Sequence, residues 1–113
     1  MILALTLAAG PAAAADLWCM PDRTCKADRC SASASEEASV RLTGADSAAP
    51  VLRADGEDVA MRALRDGATV EWQGRNRAGG EESLAWSRGD GSFVYQRRLD
   101  GATYTATGRC EVQ

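Results

Sequence analysis

Four cysteines, three pairs of adjacent carboxylates and a complete lack of histidine bound the chemistry this chain can carry. Without histidine there is no Ser-His or Cys-His activation of a nucleophile and no imidazole to ligate a metal. A Ser–Lys dyad would have to use Lys26, the sole lysine, which sits between Cys25 and Cys30. The carboxylate pairs are Glu36-Glu37, Glu57-Asp58 and Glu81-Glu82. Each lies beside turn-forming residues, where a carboxylate is expected to stay solvated rather than become a tuned acid or base. Asp55-Gly-Glu-Asp58 and Asp90-Gly-Ser92 lack the alternating oxygen ligands of a calcium loop. No catalytic residue, metal ligand or cofactor is expected, and binding is favoured over catalysis.

The cysteines at 19, 25, 30 and 110 are better read as disulfides. Their spacings do not give the two close pairs, or one pair with histidines, of a zinc site, and no Cys-x-x-Cys redox motif occurs. An even count in a short exported chain suggests a covalent framework. Of the three possible pairings, we favour Cys25–Cys30 as a local clip and Cys19–Cys110 as a tie between the chain's ends. Cys19 lies in the first apolar segment and Cys110 in the last, which become neighbours if the sheet closes on itself. On the chain-entropy account the long tie contributes roughly 4.6 kcal/mol and the short clip about 2 kcal/mol.

Residues 1–15, MILALTLAAGPAAAA, carry no charge and combine an apolar run, Gly10-Pro11 and a small-residue end. That is the build of a cleavable export signal cut before Asp16, although the usual basic start is missing. The stretch is too short to span a bilayer. Cys19 is not placed for lipid attachment, so no membrane anchor is expected and the exported chain is expected to be periplasmic or secreted. The net charge of −3, with twelve arginines interleaved among acidic residues, argues against nucleic acid as a partner. A protein, a glycan or a small ligand remains as partner, bound by a monomer.

Residues 16–113 are expected to form one small β domain. Val40 and Leu42, Val59, Met61 and Ala63, Val70 and Trp72, Leu84 and Trp86, Phe93 and Tyr95, and Tyr104 and Ala106 each recur with a period of two. Asp-Gly pairs at 55, 66, 90 and 100, with a glycine-rich loop near 78, punctuate them about every 11 residues. The spacing predicts an antiparallel meander of six to eight strands, closed as a barrel or stacked as a sandwich. Asp-Gly favours hairpin turns with positive φ at both central residues. The segment DVAMRALR (58–65) has a weak helical stripe and is read as a strand. Ser31–Ala38 is read as a loop, with a helical turn conceivable at Ser35–Ala38. The aromatic residues Trp18, Trp72, Trp86, Phe93, Tyr95 and Tyr104 are expected mostly in the core.

The stretch Leu84-Ala-Trp-Ser-Arg-Gly-Asp90, followed by an aromatic strand and a Tyr104 strand ending at Cys110, resembles the C-terminal half of the periplasmic inhibitors of C-type lysozyme. The resemblance covers about thirty residues of the chain. It implies a small eight-stranded barrel, with Ser87 and Arg88 entering the lysozyme cleft. The family's Trp-x-Lys-Gly segment has Arg88 in place of lysine here, and its upstream Ser-Gly-x-x-Tyr half has no match in residues 75–80. More broadly, the order of signal, cysteine cluster, Asp-Gly hairpins and closing Gly-x-Cys resembles small exported proteins of alphaproteobacterial type. That layout implies a compartment and an architecture, and leaves a structural role in the cell envelope as the remaining alternative.

Overall fold

Alternation of apolar and polar residues, broken by glycine turns, builds a sheet that closes on itself. A computed structural model describes residues 15–32 and 39–113, so all but the last residue of the segment 1–15 read as an export signal, the acidic pair at 36–37 and the loop or helical turn read at 33–38 lie outside the described residues. The strands are β1 (Leu17–Lys26), β2 (Arg29–Ala32), β3 (Val40–Thr43), β4 (Val51–Ala54), β5 (Glu57–Asp66), β6 (Thr69–Arg75), β7 (Glu81–Ser87), β8 (Ser92–Leu99) and β9 (Ala102–Val112). All neighbouring pairs are antiparallel, in the order β1-β3-β4-β5-β6-β7-β8-β9, and β9 returns to β1. Eight strands therefore form a closed barrel, which leaves the ring without free edges. The ninth, β2, lies outside the ring and pairs with the far half of β1, Arg23–Lys26.

Closure explains the cysteine pairing. Cys19 and Cys110 face each other across the β1–β9 seam and are bonded; Cys25 and Cys30 face each other across the β1–β2 hairpin and are also bonded. Both pairings expected from the sequence are present, and they bespeak an oxidising, extracytoplasmic environment. The second bond also corrects the reading of Ser31-Ala32 as loop: the clip holds residues 29–32 against β1 as a strand.

The period-two pattern fills the interior. Leu17, Cys19, Val40, Leu42, Leu52, Val59, Met61, Val70, Trp72, Leu84, Phe93, Tyr95 and Ala106 are buried. Residues 58–65 form a strand, although only Val59 and Met61 point inward. From Ala63 onward β5 carries a bulge and leaves Ala63 and Leu64 exposed, while β6 opposite it still turns Trp72 and Val70 into the core. Trp72, Phe93 and Tyr95 are core residues, and Trp86 and Tyr104 are half-buried against them. Trp18 is the exception to the expected aromatic core. It lies between inward Leu17 and Cys19, so alternation turns it outward, where the Arg41 guanidinium covers its ring at 5.4 Å.

The Asp-Gly turns divide into two kinds. Asp55-Gly56 and Asp100-Gly101 have positive φ at both residues (52° and 74°; 50° and 79°), as expected. The other two pairs depart from that expectation. Asp66 ends β5, so Gly67-Ala68 make the turn, and Asp90-Gly91 belong to a wider loop in which only Gly91 has positive φ. The antiparallel register then sorts the barrel into two rims. A terminal rim gathers Asp16, Gln113, the Gly67-Ala68 turn and the Arg88–Gly91 loop. A distal rim gathers the Asp55-Gly56, Asn76–Gly80 and Asp100-Gly101 turns and the β1–β2 hairpin.

Candidate functional site

Ser87 and Arg88 stand at the terminal rim, where β7 gives way to its loop. Arg88 is half-exposed yet held at three points. Its Nη2 lies 2.8 Å from Asp66 Oδ1, its Nε donates to the Gly67 carbonyl at 3.0 Å, and its backbone amide donates to the Ala68 carbonyl at 2.9 Å. The guanidinium also lies 5.6 Å from the centre of the Trp86 ring. A long cationic side chain that would otherwise sample many rotamers is thereby presented in one direction. The loop beneath it is ordered in the same manner. The Gly91 amide donates to the Ser87 carbonyl, and the Ser92 amide and hydroxyl both donate to Asp90 Oδ1. Those Ser92 bonds, the amide first and then the hydroxyl, hold the Asp90 carboxyl below its ordinary value, with a smaller contribution from the Ser87 hydroxyl.

A second polar cluster, not expected from the sequence, occupies the barrel interior toward the distal rim. Glu82 is fully buried, and Arg97 nearly so. This overturns, for Glu82, the expectation that the carboxylate pairs stay solvated; its neighbour Glu81 is exposed. Glu82 accepts from the Tyr95 hydroxyl and from Asn76 Nδ2 at 2.9 Å. Arg97 Nη2 donates to Glu57 at 2.8 Å, and Nη1 lies 3.5 Å from Asp55. Its Nε is 3.0 Å from Glu82 Oε2 but off the line a hydrogen bond requires, so that contact is Coulombic. Burial alone would lower the Arg97 pKa, but the charges of Glu82, then Tyr95, Glu57 and Asp55, raise it. Burial, reinforced by Glu82, raises the Tyr95 hydroxyl well beyond the usual phenol range.

The signal for this cluster was present in the period. Glu82 shares the phase of Leu84 and Trp86, and Arg97 shares that of Phe93 and Tyr95. Opposite charges at the same distal level of neighbouring strands make the pair self-consistent, because β7 and β8 place Glu82 directly across from Arg97.

Above Arg97 the barrel mouth opens into a cavity of about 660 Å³, walled by Val40, Leu99, Tyr95 and Tyr104 and edged by Lys26, Asp55 and Asp100. The candidate residues Ser87 and Arg88 take no part in it; they are on the opposite rim. Among the described residues no group of three or more acidic or cysteine side chains is placed to hold a metal ion. No family model, curated protein or solved structure matches the chain.

Proposed function

We propose that the protein is an exported, non-catalytic binding module that inhibits C-type lysozyme, with the terminal rim as its docking surface. The observation carrying this reading is Arg88, a cation fixed by Asp66, Gly67 and Trp86 at the edge of a closed eight-stranded barrel. Lysozyme works with two carboxylates in its cleft, one protonated acid and one ionised partner. A guanidinium delivered between them on a rigid loop pairs with those carboxylates and displaces the sugar. Arg88 then exchanges Asp66, itself largely exposed, for a partner in the enzyme. The Ser87 hydroxyl lies next to it as a second hydrogen-bonding group at the contact.

Export fits the same reading. Cleavage before Asp16 releases the chain into the periplasm or beyond, where both disulfides persist and where lysozyme is met. A binding role is supported by the residues themselves. All four cysteines are bonded, and the buried carboxylate is fully committed to Tyr95, Asn76 and Arg97.

The test is a titration of C-type lysozyme turnover with the oxidised, processed protein. Inhibition saturating near one-to-one and abolished by Arg88→Glu is expected. Turnover unchanged at stoichiometric excess of the unaltered protein disposes of the reading.

A further inference from the structure

The geometry points to a binding site for a small organic cation in the barrel mouth at the distal rim. This inference stands apart from lysozyme inhibition, which uses the opposite rim. A cavity of about 660 Å³ lies within the range of small-molecule sites, roughly 300–1,000 Å³, and the mouth of a small barrel is a recurrent place for one.

Its chemistry follows from what lines it. The rings of Tyr95 and Tyr104 meet edge to face, with centroids 6.3 Å apart and planes at 69°. Tyr104 and Leu99, both half-buried, offer an apolar and aromatic wall to the body of a ligand, with Val40 and Tyr95 buried beneath them. The charges offer it a sign. Two carboxylates, Asp55 and Asp100, edge the cavity, and Glu57 and Glu82 stand behind it. Among the described residues the cations on the wall are Arg97, already shared among Asp55, Glu57 and Glu82, and Lys26. The Asp55 side chain is 81% exposed and its contact with Arg97 is long at 3.5 Å, which leaves the carboxylate free to turn toward a ligand.

An anion entering here would face Asp55 and Asp100 with, among the described residues, Lys26 as the uncommitted cation to receive it. A bare metal ion would lack a set of ligands, since no such group exists among the described residues. An alkylammonium or quaternary ammonium needs neither, because carboxylates supply the field and the half-buried Tyr104 ring supplies an aromatic contact.

Benzyltrimethylammonium is a suitable probe, with benzoate and benzyl alcohol as its anionic and neutral counterparts. Each is titrated into the oxidised protein while amide resonances are followed. Saturable shifts at Asp55, Leu99, Thr103 and Tyr104 with the ammonium, and none with the other two, are expected. Asp55→Asn should weaken binding roughly tenfold and leave lysozyme inhibition unchanged. Asparagine tolerates the positive φ at position 55, so the turn survives the change. Equal shifts with benzoate or benzyl alcohol, no saturable shift with the ammonium, or unaltered affinity in Asp55→Asn overturns the inference. Failure to inhibit lysozyme leaves it standing.

Discussion

Glu82 and Arg97 face each other across β7 and β8 inside the barrel, with carboxylate Oε2 3.0 Å from guanidinium Nε. Such a pair is costly to desolvate, and its retention depends on every remaining lone pair and proton finding a partner. Tyr95, Asn76 and Glu57 supply those partners. The arrangement predicts a strong asymmetry. Glu82→Leu alone should destabilise the fold by about 3–5 kcal/mol, because Arg97 loses its fully buried countercharge and Tyr95 and Asn76 lose their shared acceptor. Glu82→Leu combined with Arg97→Met should recover most of the loss. Urea unfolding midpoints at constant slope measure both. A double variant as unstable as the single one would show that the site needs the charges themselves.

Tyr95 sets an alkaline limit. Burial first, and then Glu82, raise its pKa in the folded protein above the ordinary phenol value of 10.0. The neutral phenol is thus the form the fold prefers. Its contribution to stability is complete below the unfolded value near 10.0 and is lost as pH rises toward the folded value. Phenolate absorbance should therefore lag behind that of a free tyrosine and appear together with unfolding. Tyr104, raised by burial and by Asp55, should behave in the same direction. Tyr95→Phe should flatten the dependence of stability on alkaline pH. A Tyr95 that ionises at the ordinary pH in the native protein would contradict the burial argument.

Much of this fold was legible in the chain, and the reason is local. Val40, Leu42, Val70, Trp72, Leu84, Phe93 and Tyr95 announce their strands by period, and the Asp-Gly pairs announce turns. The pairing of Cys19 with Cys110 was legible from their places in the first and last apolar segments, but it fits a barrel and a sandwich alike, so closure itself was not. The polar cluster was not, because Glu82 and Arg97 each look solvated when taken singly, and each becomes reasonable inside only when the other is known to face it. Trp18 misled for a related reason: its type argues for burial while its phase between Leu17 and Cys19 argues for exposure, and phase prevailed. The split of Ser87 and Arg88 from the cavity depends on which rim each turn occupies, a property of the assembled register.

The two disulfides should differ in worth. Cys19 and Cys110 are 91 residues apart and Cys25 and Cys30 only 5. Replacing the first pair by alanine should cost roughly 4 kcal/mol or more, since it also removes packing at a fully buried position. Replacing the second should cost about 2 kcal/mol at most and leave the barrel closed. Thermal unfolding of the two double variants tests the order. Equal losses would mean that the β1–β2 hairpin is integral to the ring.

Gly108 lies in β9 opposite Pro21 of β1. A Cβ at this position would run into the Met20 carbonyl and the backbone of Pro21 and Asp22, next to the bulge in β1. Backbone cannot yield as a side chain can, so Gly108→Ala should destabilise by about 1–3 kcal/mol or more. Gly101→Ala places its Cβ in open space but at a φ of 79°, so it should cost through backbone strain alone. Unfolding midpoints that leave Gly108→Ala unchanged would argue against so close a seam.

Arg88 should matter for binding and little for folding. It is half-exposed and its ion pair with Asp66 is solvated, so Arg88→Ala should alter stability by less than about 1 kcal/mol. Lysozyme inhibition should fall sharply in the same variant. Arg88→Lys keeps the charge but loses the forked contact to Asp66 and Gly67, and should be intermediate. A variant that unfolds as readily as it loses inhibition would make Arg88 a structural residue.

The bond between Cys19 and Cys110 makes the chain between them a covalent loop. Outside the cytoplasm, where proteases are abundant, that changes what a single cleavage does. A cut in an exposed turn such as Asp100-Gly101 opens the loop without releasing a fragment, and both new ends stay tethered by strands that remain paired on either side. Damage at one hairpin is thereby confined to that hairpin, and the nicked molecule gains a water but keeps both pieces, its seam and its opposite rim.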